Sequence, residues 1–167
     1  MSEYPTYDRL LELLDGKGVE YRLIDHPAEG RTEIVSPMRG NELAQAAKCM
    51  IVMVKQGKKV TKYVLAVVPG DRKVDLNAIK ALLEGTYVSF ANAEIAERLA
   101  GSVVGTVLPF SFSPELELIV DTDLFANEEL YFNAARLDQS MVLGSADYRA
   151  LADPRVARIA QPAEPAV

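Results

Sequence analysis

Two apolar, β-branched runs at residues 48–54 and 60–68, joined by Lys55-Gln56-Gly57-Lys58-Lys59, constrain this chain more than any other feature. Each is strand-sized, and Gly57 supplies the positive φ that a tight turn needs, so the pair reads as a β-hairpin. Pro69-Gly70 ends the second strand. The hairpin must be buried on at least one face, and the rest of the chain has to cover it.

Helical segments supply that cover. Leu10, Leu13 and Leu14 form an apolar stripe over residues 6–15, stopped by Gly16 and Gly18. Asp75 caps a helix through residue 83, Asn92 one through 99 closed by Gly101, and Ser145 a last one to about 151. Asn41 caps a short helix through 46, and residues 28–40 read as a loop with one helical turn, broken by Gly30, Pro37 and Gly40. Further strands are expected at 19–24, 87–90, 103–107, 116–120, 130–132 and 141–143. Strands occur both as hairpins and separated by helices, so the class is α+β with a mixed sheet.

The chain has 167 residues, 49% of them hydrophobic, enough for one domain with a full core and no crosslinks. Residues 1–160 form that domain, and 161–167, rich in proline and alanine, a flexible tail. A single cysteine, Cys49, excludes an internal disulfide and a multi-cysteine zinc site, which suits a reducing compartment. The N-terminal residues carry no apolar run and no stretch approaches a membrane span, so a soluble cytoplasmic protein is expected.

The net charge of −6 is unevenly placed. Between Lys48 and Lys80 eight cations face only Asp71 and Asp75, so this segment carries +6 and the remainder −12. Such asymmetry fits one basic face on an acidic body, and it equally fits a solvated lysine hairpin with no ligand.

Familiar catalytic patterns are missing. There is one histidine, His26, and no G-x-S-x-G elbow, phosphate loop or dinucleotide fingerprint. Asp121-Thr122-Asp123 resembles a metal-binding pair but sits where aspartates commonly bond their own backbone. Lys48 opens an otherwise apolar strand, so it either snorkels to water or meets an anion. Cys49 should face away from it, since strand side chains alternate, and belongs to the core rather than to a nucleophile working with the lysine. In Gly101-Ser102-Val103-Val104-Gly105-Thr106-Val107-Leu108-Pro109, glycine permits close backbone approach and proline stiffens the end. That loop serves as a structural turn or as a source of N–H donors for a carbonyl oxygen. His26, beside Pro27 at a strand end, either caps the turn or forms part of a pocket wall.

These features occur together in one order. Asp25-His26-Pro27, A-A-K-C at 46–49, L-A-V-V-P-G-D-R-K-V-D-L at 65–76, G-S-V-V-G-T-V-L-P at 101–109 and A-R-L-D at 135–138 resemble the YbaK/EbsC family. That family includes the editing domain inserted in many bacterial prolyl-tRNA synthetases. The likeness runs from about residue 19 to 151.

The resemblance implies a single compact domain, a curved, mixed and largely antiparallel β-sheet wrapped by helices. It implies a free-standing trans-editing aminoacyl-tRNA deacylase, which hydrolyses the ester joining a wrong amino acid to tRNA. Lys48, matching a lysine that engages the terminal adenosine or its phosphate, and Gly105 would carry catalysis. Thr106, Val107, Leu108 and Pro109 would border the aminoacyl group, with His26 and Asp138 near the pocket. No metal, cofactor or membrane is implied. The partner is the acceptor end of mischarged tRNA, with docking on an aminoacyl-tRNA synthetase left open.

The missing triad then has an explanation: the ester is already activated, and the neighbouring ribose hydroxyl can help a water attack without a covalent enzyme intermediate. Two positions depart from relatives, Cys49 in place of Thr or Asn, and Ala134-Ala135 where glycine is common. The run Arg39-Gly40-Asn41-Glu42-Leu43 is similar to members acting on seryl- or threonyl-tRNA. A catalytically silent tRNA- or nucleotide-binding module of the same fold is the alternative. An esterase or amidase for a small metabolite is disfavoured by the missing nucleophile–base pair.

Overall fold

The β-hairpin forms and organises everything around it. In the computed structural model, which describes residues 3–163, β2 (Ala47–Gln56) and β3 (Val60–Pro69) pair antiparallel with Lys48 opposite Val68 and Gln56 opposite Val60. Gly57 turns the chain at φ +71°. Both faces of the hairpin are buried, which is why its strands read as continuous apolar runs rather than alternating ones. Val52, Val54, Val64, Ala66 and Val68 face one core with Ile79, Ile119 and Ile159. Ile51, Leu65 and Val67 face a second core with Leu10, Leu14, Phe132 and Tyr148.

The described residues form eight strands and five α-helices. The helices are α1 (Pro5–Gly16), α2 (Thr32–Arg39), α3 (Leu76–Leu82), α4 (Ala93–Ala100) and α5 (Ser145–Ala152). The other strands are β1 (Tyr21–Asp25), β4 (Tyr87–Phe90), β5 (Leu116–Asp121), β6 (Glu129–Asn133), β7 (Gln139–Gly144) and β8 (Arg155–Ala157). They divide between two sheets. One has the order β4-β2-β3-β5-β8, antiparallel as far as β3 and parallel beyond it. The other, β1-β7-β6, is wholly antiparallel. A parallel bridge from Ala46 to Tyr131 joins them beside the start of β2. The α+β class and mixed pairing hold, and the division into two sheets leaves an opening at that junction.

Several local expectations change. Residues 28–40 contain the two-turn helix α2, although Pro37 lies inside it; a proline this near the helix end forfeits little, and Gly40 closes the helix at φ +75°. Asn41 caps no helix. Its side chain turns inward to Arg39 and Ser36, and Leu43–Gln45 forms only a 3-10 turn held by a Glu42/Gln45 capping box. Residues 103–107 form a turn rather than a strand, because Gly105 adopts φ +91°. Gly144, not Ser145, is the cap position of α5.

β8 was not expected. Buried Asp121 holds the segment after it, accepting from the backbone N–H of Ile159 and Ala160 at 2.8 and 2.9 Å and from Asp123 at 3.0 Å. The Asp121-Thr122-Asp123 carboxylates are thus structural. Gln161 is tied by its N–H to the Lys73 carbonyl at 2.8 Å. The remainder of the expected tail, residues 164–167, lies outside the described residues.

Candidate active site

Where the two sheets meet, α2, the first half of β2, the β4–α4 junction and the 101–109 loop enclose a cavity of about 360 Å³. That volume suits a small ligand. Its walls are mostly small or apolar, with Ala47, Ala91 and Ala96 among them; Thr32, Arg39, Lys48 and Asn133 supply its polar side chains.

Lys48 stands half-buried at the rim, as the second residue of β2. Its ammonium donates to the Arg72 carbonyl. Burial lowers its pKa from the ordinary lysine value, opposed by the nearby carboxylates of Glu33 and Asp71. Lys48 also borders an adjoining groove of about 470 Å³, sharing that wall with Met50 and Phe90. It therefore stands between two spaces with its charge available to both.

The 101–109 loop is fixed against the chain after β1. Gly105 and Gly30 approach backbone to backbone, so closely that a Cβ on Gly105 would lie 2.9 Å from the Gly30 Cα. Asn133, at the end of β6, holds both segments by donating from Nδ2 to the carbonyls of Glu29 at 2.8 Å and Gly105 at 3.1 Å. Gly105 and Val107 line the cavity. Among the described residues, neither of their backbone N–H groups has a hydrogen-bond partner. Free, rigidly held N–H groups beside a cavity are what a carbonyl oxygen requires.

The other residues singled out from sequence are placed elsewhere. Thr106 is buried with its hydroxyl donating to the Val103 carbonyl at 2.7 Å. Leu108 is in the core, and the Pro109 carbonyl accepts from the Tyr148 hydroxyl. Asp138 does not reach the cavity of Lys48 and Gly105. Its carboxylate pairs with Arg136 at 2.9 Å, which lowers its pKa, and it lines a separate cavity with Thr106 and Arg136. Val104, Gly105 and Val107 line the first space and Gly101, Ser102, Val103 and Thr106 the second, so the loop is divided between them.

His26 is buried behind the cavity rather than in its wall. Its Nδ1 contacts the Pro27 carbonyl at 2.9 Å and its Nε2 the Ser140 hydroxyl at 2.8 Å. A carbonyl only accepts, so Nδ1 carries a proton toward Pro27, while the Ser140 hydroxyl that meets Nε2 donates to Asn133 Oδ1 at 3.0 Å. Ser140 also accepts from Arg39 Nη1 at 2.9 Å, and Asn133 Oδ1 accepts from the same nitrogen at 3.2 Å. Burial pushes the Arg39 pKa down to about 10, which leaves it charged at neutral pH.

Gly30, Arg39 and Asn133 were missed as site residues. A lone arginine at a helix end and an asparagine at a strand end look like caps, and only the fold brings them to Gly105. The approach of Gly30 to Gly105 has no local signal at all. Cys49 does line the cavity, but its thiol lies against the Ala47 carbonyl at 3.5 Å and burial raises its pKa far above the ordinary value.

A two-sheet α+β fold with one rim lysine and unpartnered backbone donors defines an editing-domain architecture. Comparison agrees: residues 26–151 match the aminoacyl-tRNA editing domain, and the chain belongs to that family. It is 39% identical over 152 residues, 90% of either chain, to the multifunctional Ser/Thr-tRNA deacylase ProXp-y of Escherichia coli strain K12, and equally to that of strain O157:H7. A crystal structure of a putative trans-editing enzyme for prolyl tRNA synthetase shares the fold, with a TM-score of 0.78 at 23% identity over 96% of this chain and 100% of that one. Another, of a hypothetical protein, superposes with a TM-score of 0.82 at 21% identity over 92% of this chain and 99% of that one.

Proposed function

We propose that the chain is a free-standing trans-editing deacylase that hydrolyses the ester of mischarged tRNA, with seryl- and threonyl-tRNA as preferred substrates. The observation that carries this is that Gly105 and Val107, whose backbone N–H groups have no hydrogen-bond partner among the described residues, line the same cavity as Lys48. The relative named for Ser/Thr-tRNA deacylation aligns along nine-tenths of both chains, and Ala47, Ala91 and Ala96 leave room for a small aminoacyl side chain.

In this reading the ester carbonyl accepts from the loop N–H groups. Water attacks the carbonyl carbon, negative charge grows on its oxygen, and the donors hold that charge without reorganising. Removing one such donor costs about 2.7–4 kcal/mol of transition-state stabilisation. The bond to the ribose oxygen then breaks, giving a free amino acid and a tRNA alcohol. The adjacent ribose hydroxyl orients the water, and Lys48 fixes the terminal nucleotide by its phosphate or sugar. The lysines of the hairpin tip, Lys55, Lys58, Lys59 and Lys62, are exposed and roughly 23 Å from Lys48 along β2. They suit phosphates of the acceptor stem rather than the reacting end. The acceptor end of tRNA is the first partner, an aminoacyl-tRNA synthetase the second, and the cytoplasm the setting.

A deacylation panel of seryl-, threonyl-, alanyl- and cysteinyl-tRNA tests the proposal. Hydrolysis of the first two at rates well above the others is the expected result. Activity confined to cysteinyl-tRNA refutes the preference, and activity on none refutes the enzyme reading in favour of a silent binding module.

A further inference from the structure

Arg39 is a charge in an unusual place. It ends α2, is 8% exposed, and lies on the wall of the cavity that holds Lys48 and Gly105. Among the described residues no carboxylate pairs with it. Its partners are all neutral: Asn41 Oδ1 accepts from Nε at 2.7 Å, and Ser140 Oγ and Asn133 Oδ1 accept from Nη1. Nη2 has no protein partner among the described residues.

Burying a guanidinium without a carboxylate is costly, and a neutral side chain would hold Asn41 and Ser140 at less expense. The charge therefore serves something the protein alone does not contain. The groups around it are already engaged. Asn133 is used at both ends, and both ring nitrogens of His26 are occupied. Of the other lining residues Val35, Ala47 and Phe132 are apolar, and Thr32 and Lys48 are the cavity's remaining polar side chains. A guanidinium has donors only. The arrangement therefore presents one unfilled guanidinium N–H donor group on the wall of a largely apolar cavity, with its geometry fixed by three hydrogen bonds.

We infer that Arg39 determines substrate specificity by donating from Nη2 to the side-chain hydroxyl oxygen of a seryl or threonyl group bound in this cavity. The inference rests on the deacylase reading of that cavity and adds the atom that recognises the hydroxyl. A methyl in place of the hydroxyl leaves the buried N–H unpaired. Sites built to hydrogen-bond a hydroxyl discriminate strongly against analogues that lack it.

The experiment compares two substrates that differ in one group, seryl-tRNA and α-aminobutyryl-tRNA, the latter with a methyl in place of the hydroxyl. The wild-type chain should hydrolyse the seryl ester with a kcat/KM about 10- to 100-fold higher. In Arg39→Met that ratio should fall to within about threefold of unity, while alanyl-tRNA hydrolysis changes much less than seryl-tRNA hydrolysis. A wild-type ratio near unity overturns the inference without any variant, so a variant that fails to fold does not protect it. Arg39→Lys, which keeps the charge but loses the fork, should show an intermediate ratio. An equal loss for all substrates in the folded variants, shown by unchanged thermal melting, would make Arg39 a support for Asn133 and overturn its role in recognition. If the wild-type chain hydrolyses seryl-tRNA well above alanyl-tRNA but does not separate it from α-aminobutyryl-tRNA, only this inference fails; if it hydrolyses none of these esters, the deacylase reading fails first.

Discussion

Gly30 and Gly105 pack backbone against backbone, each leaving no room for a side chain on the other: a Cβ on Gly30 would sit 3.0 Å from the Gly105 Cα, and the reverse distance is 2.9 Å. Gly105 also holds φ +91°, a conformation that costs an L-residue about 1–2 kcal/mol or more. Gly105→Ala should therefore move the loop and withdraw its N–H donors, reducing kcat/KM for deacylation by about 100-fold or more. Gly30 lies outside the left-handed region, so Gly30→Ala meets the contact without the dihedral strain and should be milder in both melting temperature and rate. Full activity in Gly105→Ala would remove the loop from the mechanism.

Lys48 can be separated from stability. Its bond to the Arg72 carbonyl is made at a half-buried position where water can replace it. Lys48→Ala should leave the melting temperature within about 3 °C of the wild type, since half-exposed polar substitutions shift stability by about 0.5 kcal/mol or less. Deacylation should be abolished. A variant that retains full activity would leave the proposed role of the lysine without support.

Cys49 borders the cavity yet is in no state to attack. Burial holds its thiol protonated, and reactivity belongs to the thiolate. Cys49→Ser keeps the side-chain size and a donor for the Ala47 carbonyl, so hydrolysis should remain within about fivefold of the wild type. The native chain should resist thiol alkylation at neutral pH and react only once unfolded. Inactivation as complete as that of Lys48→Ala would instead indicate a covalent thioester.

The hairpin could be read from sequence because β-branched residues fill two strands that are buried on both faces, and because Gly57 marks the turn. α2 could not, because Pro37 is a breaker in any local reading and only the packing of Val35 and Arg39 shows that the helix forms around it. Residues 103–107 carry strand-like valines, but Val103 and Val104 are exposed and Gly105 turns the chain to meet Gly30. Part of the site was visible in Lys48 and Gly105, which the fold brings to one cavity. Asp138 was assigned by position in a motif, and in the fold it lines a different cavity from the one bordered by Lys48 and Gly105. Ala135 explains itself only in three dimensions: its φ of +60° is one that glycine adopts without penalty, at the place where relatives commonly have glycine.

Glu29 offers a test of how the Gly30 segment is held. Its carboxylate accepts from the Arg31 backbone N–H and from two nitrogens of the same guanidinium, all at 2.9 Å. Those side-chain hydrogen bonds, with the backbone one, lower its pKa from 4.5 to about 2. A depressed folded-state pKa stabilises the native chain above the unfolded value, and that contribution fades as pH falls toward the folded one. Wild type should therefore melt above Glu29→Gln at pH 7, with the gap closing between about pH 4.5 and pH 2 and absent below it. The difference between the two proteins isolates this group from the other carboxylates that titrate in the same range. Because the Glu29 carbonyl and Gly105 carbonyl share Asn133, the variant should also lower deacylation at neutral pH by loosening the Gly30 side of the loop contact. A gap in melting temperature that stays constant down to pH 2 would show that the Glu29–Arg31 lock contributes nothing to holding that segment.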